Sequence, residues 1–288
     1  MELSKRLKAV ADLVTEGLAV ADVGTDHGYI PIYLIESQKS RAVIAMDVND
    51  GPLLRAAEHI AECQLERYIE VRKSDGLKEL YPGEVDSVIM AGMGGALMIR
   101  IMEEGRGILD HLTEFILQPQ SEVARVREYI NSYDSVCLQG HEYRDRAKTC
   151  FQPNGHGFRI IDEDMVFEDG KYYPIMKVHP TGTSDVQRAW AENKVHPTGT
   201  SDAQRAWAEN KVVKGGVQQY SPFELKYGKL LLERKHPVLR QYLERERITK
   251  RAILESLRSR VCEAHIKRRV CELMREIECI EKALEVYV

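Results

Sequence analysis

The sequence predicts an α/β fold: a mainly parallel sheet covered by helices on both faces, closed by an antiparallel pair, then a purely helical C-terminal part. Three observations predict it. Strand-like runs alternate with helical stretches through roughly the first 120 residues. "FRIIDEDMVFEDGKYYPIMKV" reads as two strands around Asp169-Gly170, an antiparallel hairpin signal. Beyond Tyr220, apolar residues recur at helical spacing with few aromatics.

The elements follow in order. Ser4 can cap a first helix, in which Leu7, Val10, Ala11 and Val14 repeat at helical spacing. Strand-like runs come next at Leu18–Val23, Ala42–Met46, Tyr68–Arg72, Val85–Met90 and Glu114–Leu117. Helical patterns occupy Gly51–Cys63 and Ala96–Met102, and Ser121 begins another helix to about Asn131. Asp134–His156 shows no clear period. After the hairpin, "HPTGTSDVQRAWAENKV" (179–195) is followed at once by a copy (196–212) that differs only in Ala203 for Val186. Two short units cannot build a solenoid, so the repeat reads as a solvated insertion or linker. Leu239, Leu243, Ile253, Leu257 and Val261 then form one apolar stripe. Leu273, Ile277, Ile280 and Leu284 form a second, at coiled-coil spacing. The two predict a helical coiled-coil hairpin that reverses near Ser259–Ile266. The chain thus divides into a ligand-binding α/β domain (1–178, irregular at about 134–156), a linker (179–217) and a helical domain (218–288).

Bulk properties narrow the function. With 43% hydrophobic and 30% charged residues, the chain has the composition of a folded protein with ample core. No apolar run reaches the ~20 residues that a bilayer span needs. The N-terminus "MELSKRLKAVADLV" lacks a signal-peptide core. The expectation is a cytoplasmic protein with no membrane partner. The six cysteines include no C-x-x-C pair, so free, mostly buried thiols and no metal site are expected. Nothing in the sequence sets the oligomeric state. Net charge is −4, yet Arg234–Arg269 holds twelve Lys/Arg against four acids. A local excess of eight points to a nucleic-acid partner that the total charge hides.

The stretch that carries chemistry is "VADVGTDHGYIP", Val20–Pro31. A strand ends in Asp22-Val23-Gly24, and a turn with Thr25, Asp26, His27 and Gly28 follows. A dinucleotide site needs G-x-G-x-x-G; here the second and third glycines are replaced by Asp26 and Tyr29. Carboxylates at positions 22 and 26 would repel a diphosphate, by about 4 kcal/mol for a like-charge pair at about 4 Å and an effective dielectric of about 20. S-adenosylmethionine inverts the sign, because it carries a sulfonium, an ammonium and no phosphate. Asp47 ends the second strand, where an acid can accept both ribose hydroxyls. Asp75-Gly76 ends the third, where an adenine amino group can bind. All lie where open α/β sheets hold ligands. The fourth strand ends in "MAGMGG": Gly92 and Met93 stand toward the cofactor, while Gly94 and Gly95 let a planar substrate approach the backbone. This outline fits a Rossmann-like class I methyltransferase among other doubly wound folds.

"LSKRLKAVADLV", "ADVGTDHGYIPIYL", "MDVN…GPL", "SDGL", "AGMGG", "LQPQ…VREYI" and "EDGKYYPIMKV" together resemble, in order, the bacterial tRNA (adenine-22-N1)-methyltransferase family. "YSPFELKYGKLLLERKHPVLRQYLERE" looks like that family's lead into a C-terminal coiled coil. The resemblance covers roughly residues 1–133, 157–178 and 218–288. It implies an S-adenosylmethionine-binding domain, a helical hairpin that helps grip tRNA, and methyl transfer to N1 of an adenine in the D-arm. Asp134–His156 and the duplicated 17-mer depart from it.

On that reading, adenine N1 attacks with an in-plane lone pair and needs no general base. Tyr29 can stack on the base, and Asp26 can accept a proton from the adenine amino group. His27 belongs to the turn and is not read as a base. Lys267, Arg268 and Arg269 are expected to meet tRNA phosphates. Two rivals stay open. A small-molecule methyltransferase explains the sheet and leaves the basic helices unexplained. A non-catalytic cofactor-binding adaptor would use the helices to bind a protein.

Overall fold

The computed structural model describes residues 3–139, 157–181, 220–258 and 264–288. Seven strands form one sheet in the order β3-β2-β1-β4-β5-β7-β6. β1 (Leu18–Val23), β2 (Ser40–Asp47), β3 (Ile69–Lys73), β4 (Ser87–Gly94) and β5 (Glu114–Ser121) are mutually parallel. β6 (Gly157–Glu168) and β7 (Lys171–Thr181) pair antiparallel, and β7 joins β5 in the same sense. Their turn has Asp169 at φ 48° and Gly170 at φ 77°, the two positive values that a tight Asp-Gly hairpin requires.

Period-two alternation sends the strands' side chains into two cores. Ala21, Val23, Ile44, Met46, Val88, Met90, Phe115 and Leu117 bury one face under α4 (Gly95–Glu104), α5 (Arg106–Leu109) and α6 (Val123–Gln139). Val20, Val43, Ala45, Ile89 and Ile116 bury the other under α1 (Lys5–Asp12), α2 (Tyr29–Glu36) and α3 (Asp50–Glu62). At the sheet's far end the buried Glu114 carboxylate accepts from the Thr15 backbone (2.8 Å) and hydroxyl (2.6 Å) and pairs with Lys177 at 2.8 Å.

Three elements differ from expectation. Tyr29–Glu36 is a helix that the sequence pattern did not announce: Ile30, Pro31, Ile32 and Leu34 are all buried, so no polar face marks its period. Ser121 ends β5 rather than opening a helix; α6 starts at Val123, after Glu122 at φ 51°, and runs to Gln139. His179–Thr181, the head of the first 17-mer, is the end of β7, with His179 opposite Arg159. The rest of the repeat, the remainder of 134–156 and most of the expected reversal near Ser259–Ile266 lie outside the described residues.

α7 (Pro222–Tyr227) opens with the capping box of Ser221 and Glu224. α8 (Lys229–Glu233), α9 (Pro237–Arg258) and α10 (Ala264–Glu285) follow. Leu239, Leu243, Ile280 and Ala283 pack with Tyr227, Leu231 and Met165 of β6 in a third core. Ile253 of the predicted stripe is 40% exposed, so the apolar seam of α9 is best covered near the sheet. Beneath this core Arg127 of α6 meets Glu163 of β6 at 2.8 Å, both fully buried. Arg127 Nη1 also donates to the Leu225 and Lys226 carbonyls (3.1 Å each), and the Leu230 amide donates to Glu163 (3.0 Å). Gly228, at φ 93°, closes over the pair; a Cβ there would lie 2.7 Å from Glu163 Oε1. Among described cysteines Cys63 and Cys279 are half-buried and Cys271 is exposed, so burial of the thiols is only partial. No described helix is long and apolar enough to cross a membrane.

Candidate functional site

The parallel strands deliver Asp22, Asp47, Asp75 and Gly92 to one end of the sheet, the carboxyl end. The strand order reverses between β1 and β4, which opens a crevice there. Gly24 turns the chain at φ 79°. Its amide and that of Thr25 both donate to the Met46 carbonyl of β2, at 2.8 Å each. These amides therefore do not form a nest for an anion. Gly24 also faces β4: a methyl group on it would come to 3.0 Å of Met93 Cε.

Charge at the crevice is negative and partly desolvated. Burial pushes the Asp22 carboxyl up to about 7, with the nearby Asp47 charge adding and the Thr25 hydroxyl opposing. Asp47 is half-exposed, and its Oδ1 accepts from the Asn49 amide (2.7 Å) and side chain (3.2 Å). Asp75 is exposed and bound to Lys78, whose hydrogen bond lowers its pKa. Ser74 supports the β3 end from below: its amide donates to the Asp47 carbonyl at 2.9 Å and its hydroxyl to Gly76 O at 2.8 Å.

The 26–29 turn is held from α3. Arg55 donates to Asp26 at 2.9 Å. His59 Nδ1 lies 2.9 Å from the His27 carbonyl. The rings of His27, Tyr29 and His59 are nearly parallel, with centroids 5.2–5.5 Å apart. Gly28, at φ 68°, is pressed against Ala56, 3.3 Å from where a Cβ would stand. Sequence reasoning missed Arg55 and His59. Their one signal was the four-residue spacing that puts both on one side of α3.

The glycines of β4 divide differently from expectation. Gly92 opens space beside Arg6 and Gln120. Gly94 and Gly95 instead back onto Ser121, and a Cβ on Gly95 would meet its carbonyl at 2.6 Å. Tight strand–helix packing accounts for Gly95, which is buried. Lys267 and Arg268 are exposed on α10, among the C-terminal helices; exposed Arg269 already pairs with Glu272 (3.2 Å) and Glu276 (3.3 Å).

Comparison with known proteins agrees with this geometry. Residues 3–135 match the family model described as a methyltransferase domain. The chain is 35% identical over 176 residues to the tRNA (adenine(22)-N(1))-methyltransferase of Bacillus subtilis, covering 61% of this chain and 64% of that one. Over these residues the chain is similar to a tRNA (adenine-22-N1)-methyltransferase. Among solved structures, the B. subtilis tRNA (adenine-22-N1)-methyltransferase TrmK superposes with a TM-score of 0.67 at 26% identity, covering 98% of this chain and 99% of that one. Streptococcus pneumoniae Sp1610 in complex with S-adenosyl-L-methionine gives 0.69 at 25% identity, covering 98% and 100%. The sequence match spans just under two thirds of the B. subtilis tRNA (adenine-22-N1)-methyltransferase, whereas the structural match spans nearly the whole of both chains.

Proposed function

We propose that the protein transfers a methyl group from S-adenosylmethionine to N1 of an adenine in tRNA, adenine-22 of the D-arm by family resemblance. The observation that carries the reading is the pairing of Asp22 and Asp47 at adjacent strand ends with a turn whose leading amides are engaged by Met46 O. A diphosphate finds those two amides already engaged, and the nearby cations Arg55 and Lys78 already paired with Asp26 and Asp75. A cationic ligand with a ribose fits both carboxylates.

In this reading Asp47 accepts the ribose hydroxyls. Asp22, Gly24, Thr25, His27 and Gly28 shape the methionine end, and Asp75-Gly76 borders the adenine. Gly92 and Met93 border the reacting end. S-adenosylmethionine, when bound, supplies an electrophilic methyl group. The protein's own work is positioning and water exclusion, since N1 needs no prior deprotonation. A base in a paired stem must first swing out, at a cost of a few kcal/mol. Tyr29, within the ring cluster, offers it a face, and Asp26, oriented by Arg55, accepts from its amino group as positive charge develops. The helical part, residues 218–288 beyond the linker, acts as a coiled-coil hairpin whose Lys267, Arg268 and Arg269 meet phosphates.

Incubation with labelled S-adenosylmethionine and unmodified bulk tRNA, followed by nucleoside mass spectrometry, tests this. Labelled 1-methyladenosine is the expected product. Label on another nucleoside, or none on RNA, would refute it.

A further inference from the structure

The strand order leaves one approach to the reacting atom. With the cofactor across the ends of β1, β2 and β3, the target base must come from the β5 side of β4. The polar side chains at that place include Gln118 and Gln120 of "LQPQ", Arg6 of α1 and Ser121, whose hydroxyl is taken by the Gly95 amide. Met93 pairs with Pro119 and Gly94 with Ser121, so Gln120 is the extra residue of a bulge in β5. Arg6, which holds Gln118, and Gln120 both border the same point at Gly92. Gln118 is fully buried and engaged: its Oε1 accepts from Arg6 Nη1 at 2.9 Å, and its Nε2 donates to Pro119 O at 3.2 Å. Gln120 stands above it at the rim, exposed, with no hydrogen-bond partner among the described residues. Its Nε2 is 3.7 Å from the point where a Cβ on Gly92 would sit, and Arg6 Nη1 is 3.4 Å from the same point. The empty position at Gly92 is thus walled by a carboxamide with both hydrogen-bonding atoms available.

We infer that Gln120 reads the Hoogsteen edge of the target adenine. This rests on the methyl-transfer reading above. N1 must face the methyl group and cannot be gripped. The edge left is N6–H and N7, a donor beside an acceptor. A glutamine side chain matches it: Oε1 accepts from N6, and Nε2 donates to N7. Guanine presents an acceptor, O6, where adenine presents its amino group, so the contact selects adenine as well as orienting it. Arg6 keeps Gln118 in place beneath.

The test uses the full chain and two transcripts, one with adenosine at the methylated position and one with 7-deazaadenosine, which lacks the N7 acceptor. Wild-type kcat/KM should fall roughly tenfold on the deaza transcript, the size of a good base contact. Gln120→Ala should lose about as much on adenosine and nothing further on 7-deazaadenosine. Gln120→Glu sets a carboxylate against the N7 lone pair, so it should prefer the deaza transcript and reverse the wild-type order. S-adenosylmethionine affinity, measured by titration calorimetry, should be unchanged in both variants. Wild-type kinetics in both variants, N7 sensitivity persisting in Gln120→Ala, or cofactor affinity lost in both would overturn the inference alone. A wild-type protein that methylates no adenine N1 would overturn the underlying reading too.

Discussion

His59 of α3 donates from Nδ1 to the carbonyl oxygen of His27 across 2.9 Å, tying the second ligand-crevice helix to a residue whose backbone is left-handed at φ 62°. Non-glycine residues hold that conformation only when their surroundings fix it. His59→Leu should therefore lower stability by about 1 kcal/mol and weaken S-adenosylmethionine binding several-fold. Thermal melts and calorimetry check both. Unchanged affinity would mean that the ring cluster and Ala56 hold the turn without this bond.

If Asp47 holds the ribose as proposed, Asp47→Ala should remove two charge-assisted hydrogen bonds, each worth ~1.5–3 kcal/mol. Cofactor affinity should drop at least about tenfold while circular dichroism stays that of the folded chain. A folded variant with wild-type affinity would remove Asp47 from the site.

Asp22 gives a pH dependence with a definite sign. Its carboxyl titrates near 7 when folded against 3.8 ordinarily. Between those values the unfolded chain releases a proton that the folded chain keeps, so stability falls as pH rises across that window. Binding of a cation needs the ionised form, so affinity should rise with pH through about 7. It should decline again where the ligand's own α-amino group deprotonates, near about 8. Asp22→Asn should abolish the acidic limb and, without cofactor, melt higher than wild type at pH 8. An acidic limb that survives in Asp22→Asn assigns the titration elsewhere.

Replacing Lys267, Arg268 and Arg269 with alanine should weaken tRNA binding and flatten its salt dependence. Each lost phosphate contact lowers the log–log slope by about 0.7–0.9. Arg269 is already engaged by Glu272 and Glu276, so the change should be near that of two contacts. Base selectivity should hold, since phosphate contacts position without specifying. A wild-type slope would make the cluster a solvated helix face.

The parallel strands, the hairpin and the long helices were legible because each has a local signature: alternation, Asp169-Gly170, or a period of about 3.6. α2 was not, because its residues are apolar or aromatic up to Glu36, so no polar face marks a period. Nor was the count of positive charge a guide to net field: Lys250 pairs with Glu276, and Arg251 with Glu281, acids that lie beyond the stretch counted. At the site, the carboxylates at strand ends could be read from their place after apolar runs. Arg55, His59 and Gln120 reach the crevice from other elements, and beyond the four-residue spacing of the first two nothing in the sequence announces it. Gly95 looked like a substrate surface and serves packing, a distinction made by Ser121, Glu122 and Val126, 26 or more residues away.

The buried meeting of Arg127, Glu163 and the turn at Gly228 decides where this chain tolerates deletion. By sequence, all strands lie upstream of Tyr220, and a cut there suggests a self-sufficient enzyme core. In the fold, the cut takes the Leu225 and Lys226 carbonyls from Arg127 and the Leu230 amide from Glu163. It also uncovers Met165 on β6, the strand at the sheet's margin. A bare margin with unpaired backbone groups invites pairing with other chains. Fragment 1–219 should accumulate as aggregates. A usable tRNA-blind enzyme would instead come from shortening α9 and α10 together at the end remote from the sheet, leaving the seat on β6 intact.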